Sequence, residues 1–149
     1  MSVEAREYLE QVELYDVNIK NMLEESRQLR ASILSATSNL TADTVIPGST
    51  NDKIGDTVAK IVDLEREVNE TIDKYVDLKK RVLRTIAKVE DPAELRLLYL
   101  RYFRYMSWEQ IACEMGYSYR NVCYIHSNAL QSVEKIREGK WRDKKRKPE

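Results

Sequence analysis

Apolar residues recur along the first 90 residues with the spacing of a helix that packs along one seam. From Ala5, the positions Tyr8, Val12, Tyr15, Ile19, Met22, Leu29, Ile33 and Ala36 alternate steps of three and four, with Ser26 as the single polar member. No Pro or Gly interrupts the run, so it predicts one long helix with a heptad seam. A second stripe, Val58, Ile61, Val68, Ile72, Tyr75, Val82, Ile86 and Val89, follows the same rule with Glu65 and Lys79 as charged members. Each helix is expected to run about 50 Å, at roughly 1.5 Å per residue. A lone helix with an apolar seam does not hold in water, so the two seams are expected to meet in an antiparallel, coiled-coil-like hairpin over residues 1–90. Between them, residues 37–56 carry Asn39, Pro47-Gly48, Ser49-Thr50-Asn51-Asp52 and Gly55, which is turn and cap chemistry and predicts a long loop. Such a loop leaves room for helix exchange between chains. Val62, Leu64, Val76, Leu78 and Leu83 lie off the second seam. A face widened in this way favours an oligomerisation element over a simple rigid spacer.

Asp91-Pro92-Ala93-Glu94 is the clearest punctuation in the chain: a strong cap, a Pro in the first turn and a Glu placed to complete a capping box. The helix it opens is expected to bury Leu95, Leu98, Tyr99, Tyr102 and Phe103. Ser107 then precedes Trp108-Glu109-Gln110, a second capping box, and Ser118 caps Tyr119-Arg120-Asn121. Gly116 lies between them, where a residue without a side chain turns left-handed at little cost. Ile111 and Ala112 on the first of these short helices, Tyr117 in the turn, and Val122, Ile125, Ala129 and Leu130 on the second are the expected inward positions, with the second helix continuing to about Gly139. The expected fold is therefore all-α: the helical hairpin, then a helix-turn-helix domain over 91–139, then a basic tail over 140–149. A helix-turn-helix presents the N-terminal end of its second helix to a DNA major groove. With Val122 and Ile125 inside, Ser118, Tyr119, Arg120, Asn121, Cys123, Tyr124 and Ser127 are left on or near the open face. Arg bonds a guanine edge with two N–H groups and Asn bonds adenine, while Ser and Tyr reach phosphates. Arg120, Asn121 and Tyr124 are the expected base contacts; Ser118, Tyr119 and Ser127 are the expected phosphate contacts.

The helix Leu95 to Phe103, the opening Ser107-Trp108-Glu109-Gln110-Ile111-Ala112, and the run Tyr117-Ser118-Tyr119-Arg120-Asn121-Val122 closing on Ile125-His126 and Ala129-Leu130 resemble region 4 of bacterial sigma factors. Behind a long N-terminal helical pair, that module looks like the small phage transcriptional regulators of the ArpU/RinA type. The sigma-like part spans roughly the last third of the chain, and the wider likeness rests on layout. The resemblance implies sequence-specific binding of double-stranded DNA in control of phage genes, with RNA polymerase as a candidate partner. Two other readings belong to different classes: the small DNA-recognition subunit of a phage terminase, and a scaffold whose helix-turn-helix binds protein.

Charge sharpens this picture. Over 149 residues Lys+Arg and Asp+Glu are both 25, so the whole-molecule balance predicts no nucleic-acid affinity. Residues 1–90 nevertheless carry 13 basic and 17 acidic side chains, and residues 91–149 carry 12 and 8, so the surplus falls on the half with the reading helix. The tail Lys140-Trp141-Arg142-Asp143-Lys144-Lys145-Arg146-Lys147 is expected to follow a phosphate backbone or to remain a solubilising end. With no stretch of roughly 20 apolar residues and no signal-peptide core, no membrane role and a cytoplasmic location are expected. Cys113 and Cys123 are then expected as reduced thiols packed between helices; with His126 they lack both the spacing and the fourth ligand of a zinc site. One His, no Gly-rich phosphate loop and no metal spacing argue against an enzyme, and no cofactor is expected. His126 is expected to pack or to touch phosphate.

Overall fold

The computed structural model describes residues 3–38 and 48–139, and among them every element is helical. The helices are α1 (Val3–Ser38), α2 (Gly48–Ile86), α3 (Pro92–Tyr102), α4 (Trp108–Met115) and α5 (Tyr119–Arg137). The chain divides into two compact units, one of residues 15–75 and one formed by the first fourteen residues with 76 onward.

The α1 seam is buried as its spacing demands. Ala5, Val12, Ile19 and Ser26 are buried, and Tyr8, Tyr15, Met22, Leu29, Ile33 and Ala36 are half-buried; Leu9 joins the buried set. On α2, Ile61, Val68, Val82 and Ile86 are buried, as is Val89 just beyond the helix, and Glu65, Ile72, Tyr75 and Lys79 are half-buried. Two positions depart from expectation: Val58 is exposed, and Leu78, placed off the seam, is buried. The expected loop over 37–56 also needs correction. Thr37 and Ser38 close α1 and residues 48–56 open α2, leaving 39–47 outside the described residues. Ser, Thr, Asn and Asp are as apt for a first helical turn as for a loop, and Gly55 weakens a helix by only about 1 kcal/mol without ending it.

In the 15–75 unit, Arg30 of α1 forms an ion pair with Glu65 of α2. In the other unit, the Tyr8 hydroxyl lies 3.1 Å from Thr85 Oγ1. The Arg137 guanidinium there sits 4.3 Å above the Tyr8 ring and donates to the Glu4 carbonyl.

The three short helices begin where their caps dictate. Asp91 accepts from the Ala93 and Glu94 amides at 2.9 and 3.0 Å, with Pro92 in the first turn. The Glu94 carboxylate does not close the expected box but accepts from Ser132 Oγ of α5 at 3.0 Å. The expected buried face of α3 is likewise corrected. Leu97, Leu98, Leu100 and Tyr102 are buried, Leu95 and Phe103 are half-buried, and Tyr99 is exposed with its ring stacked on Phe103. Leu97 and Leu100 join Ile111 of α4 and Val122 of α5 in one core, edged by Met106, Trp108, Ala112, Met115 and Ile125.

Candidate nucleic-acid interface

The turn between α4 and α5 is fixed by local chemistry. Ser107 and Gln110 make both halves of a capping box: Gln110 N–H donates to Ser107 Oγ at 3.2 Å, and Ser107 N–H donates to Gln110 Oε1 at 2.9 Å. At the other end of α4, Gly116 is left-handed at φ 70° and ψ 31°, and Tyr117 N–H returns to the Ala112 carbonyl at 3.0 Å. That return bond, with Gly116 N–H on the Cys113 carbonyl, closes a Schellman turn. Ser118 then accepts from Asn121 N–H at 3.1 Å and starts α5. Tyr117 does not fill the turn as expected: it is 40% exposed, because the turn needs only its backbone amide.

α5 is anchored by Val122, His126, Ala129, Leu130 and Val133, all buried. Ile125 is half-buried, and the position facing fully inward beside it is His126. Sequence hydropathy had favoured Ile125 over its polar neighbour, yet the set 122, 126, 129, 130, 133 has an equally regular helical spacing. His126 Nε2 and the Tyr102 hydroxyl share a hydrogen bond of 2.7 Å, and the Trp108 ring meets the imidazole edge-on at 4.5 Å between centroids. Burial, with Arg6 and Arg101 nearby, pushes the His126 pKa down to about 4, and burial pushes Tyr102 up to about 12. His126 is therefore a neutral packing residue. Arg101, which sequence reading left without a role, lies 4.2 Å over the Trp108 ring and donates to the Met106 carbonyl at 2.9 Å. It fastens the α3–α4 connection onto α4.

With that side fixed, the six candidate residues Ser118, Tyr119, Arg120, Asn121, Tyr124 and Ser127 are all exposed. They run from the N-cap, Ser118, through the first two and a half turns of α5. Ser118 spends one lone pair on its cap and keeps its hydroxyl proton to donate. Cys123, partial desolvation and Glu109 hold the Tyr119 phenol above its usual range, and a phenol carries its proton at neutral pH in any case, so it too can donate. Among the arginines of this region, Arg96 pairs with Glu114 at 3.1 Å, Arg101 covers Trp108 and Arg137 covers Tyr8. Arg120 has no such engagement among the described residues. An exposed guanidinium near a helix N-terminus, flanked by Ser, Asn and Tyr, can bond base edges or phosphates.

Cys113 and Cys123 were expected between the helices, but both are exposed. Each falls on the outer side of its helix once Ile111 and Val122 take the core. No group of three or more His, Cys, Asp or Glu among the described residues is placed to hold a metal ion, and no described helix is long and apolar enough to cross a membrane. Comparison with protein-family models, curated proteins and solved structures finds no match to this chain.

Proposed function

We propose that the chain is a sequence-specific DNA-binding transcriptional regulator of the phage type, acting as an oligomer. In this reading α4, the Gly116 turn and α5 form a helix-turn-helix resembling sigma region 4, and α1 and α2 form an antiparallel hairpin. The observation that carries it is the two-sidedness of α5. Its first turns expose Ser118, Tyr119, Arg120, Asn121, Tyr124 and Ser127 together, while Val122 and His126 hold the opposite side. The Tyr8–Thr85 contact in one unit and the Arg30–Glu65 pair in the other are those an antiparallel hairpin makes. Arg120, Asn121 and Tyr124 read base edges, and Ser118, Tyr119 and Ser127 position the helix on phosphates.

The test is selection of bound duplexes from a random pool, followed by gel shifts on the selected site. Arg120→Ala is expected to weaken specific binding by about 1–3 kcal/mol while leaving the circular dichroism unchanged, because Arg120 holds nothing else in place. A palindromic selected site gives the half-site spacing directly. Equal affinity of wild type and Arg120→Ala for the selected site rules out that assignment. Absence of any salt-dependent affinity for DNA rules out the reading as a whole.

A further inference from the structure

We propose that the outer face of the first turns of α1 is a docking surface for the chain's own basic end, residues 140–149. The docking stands apart from the DNA reading above; only its consequence, competition with phosphates, rests on that reading. Val3, Glu7, Glu10 and Leu14 step by four, three and four along one line of α1, opposite the buried Ala5 and Val12. Glu4 flanks this line on one side and Glu13 on the other. All six are exposed, Val3 by 62% and Leu14 by 66%. None of the four carboxylates forms an ion pair among the described residues, and Arg6 is the one cation of residues 3–14. Two large apolar side chains thus stand in solvent along a row of negative charge.

Place and charge select the occupant. α5 ends against this same stretch of α1, where the Arg137 guanidinium lies 4.3 Å over the Tyr8 ring and donates to the Glu4 carbonyl. Lys140 follows only three residues after that anchored side chain. From Glu4 to Leu14 the helix rises about 15 Å, at roughly 1.5 Å per residue. Residues 140–147 reach up to about 26 Å when extended, enough to follow the whole line.

Residues 140–149 carry six Lys and Arg against Asp143 and Glu149, with Trp141 as a large aromatic. A row of carboxylates broken by apolar side chains fits a cationic segment that also brings an indole. Residues 39–47, also outside the described residues, hold Asp43 and no cation. The same face of a second copy is equally acidic and is repelled. A seated tail has its cations spent on the chain's own carboxylates, so duplex phosphates must displace them before the tail adds affinity.

Limited trypsin digestion of the full chain without DNA, read by mass, tests the docking, because residues 140–146 hold five Lys and Arg. At low salt, cleavage there is expected to be about fivefold faster in Glu7→Gln/Glu10→Gln than in wild type, with unchanged circular dichroism. Glu67→Gln/Glu70→Gln, an equal change of charge on α2, should leave the rate as it is. Equal rates in wild type and Glu7→Gln/Glu10→Gln overturn the proposal. So does protection that is lost on diluting the protein, which places the tail on a second copy. Fluorescence anisotropy with a random duplex then tests the consequence: Glu7→Gln/Glu10→Gln is expected to bind several-fold more tightly and to lose that gain once Lys144→Gln and Lys145→Gln are added. A gain that survives those two changes comes from the general loss of negative charge and removes the competition. Absence of DNA binding by every variant overturns the DNA reading but not the docking, which the protease rates decide.

Discussion

His126 shows how a single residue ties packing to pH. Its imidazole is 7% exposed, bonded to Tyr102, edged by Trp108 and near the cations of Arg6 and Arg101, and its pKa falls to about 4. In the unfolded chain the same group titrates near 6.5. Between those values the unfolded chain holds a proton that the folded chain does not, so the His126 contribution is whole above about pH 6.5 and is lost as the pH falls towards 4, by up to about 3 kcal/mol. Glu94 acts with the opposite sign. Burial raises its carboxyl pKa despite the Ser132 bond, which favours the folded state as acid is added. Urea unfolding followed by circular dichroism is expected to give a lower midpoint at pH 4.5 than at pH 7, and His126→Gln should flatten most of that difference. A variant that keeps the full pH dependence would place the responsible proton elsewhere. That a lone His faces the core was hard to see in the sequence, because Ile125 beside it satisfies the same helical stripe with an apolar side chain.

At the scale of elements, punctuation was more legible than facing. Asp91, Ser107, Gly116 and Ser118 stand where their cap and turn chemistry predicts, because each answers to a few local hydrogen bonds. The inner face of α3 was misread because Leu95, Leu97, Leu98, Tyr99 and Leu100 are five apolar residues in six, and such a run has no period to choose by. The start of α2 was misread because Ser, Thr, Asn and Gly serve loops and first turns alike. Two glycines make the difference testable with the same substitution. Gly116 is left-handed at φ 70°, so Gly116→Ala is expected to cost about 1 kcal/mol of backbone strain even though an added Cβ meets nothing within 4 Å. Gly55 lies inside α2 with equally open space, so Gly55→Ala is expected to stabilise by about 0.5–1 kcal/mol. Thermal melts should therefore shift in opposite directions, and a stabilising Gly116→Ala would contradict the turn geometry.

For the whole molecule, what matters is where the positive charge lies. Residues 91–149 carry a surplus of basic over acidic side chains, 12 against 8, yet residues 91–139 balance at six of each. The entire surplus therefore sits in 140–149, with Lys140, Arg142, Lys144, Lys145, Arg146 and Lys147 against Asp143 and Glu149. α5 offers Arg120 and hydrogen-bonding groups at its N-terminal end, but residues 91–139 as a whole carry no net charge to draw in a phosphate backbone. This divides the proposed DNA binding into two separable parts: discrimination by the exposed turns of α5, and sequence-blind attraction by the last ten residues. Attraction of that kind releases counterions, at a slope of about −0.9 in log K against log salt for each phosphate neutralised. A chain ending at Gly139 is therefore expected to lose affinity for selected and random duplexes alike. Its salt slope should be shallower by about two or more, with the preference for the selected site retained. Arg120→Ala in the full chain should do the reverse, lowering the preference and changing the slope by about one at most. Fluorescence anisotropy on both duplexes across a salt series measures all four quantities. If the shortened chain keeps the full slope, the phosphates are met by the helices, and the basic end has no part in binding.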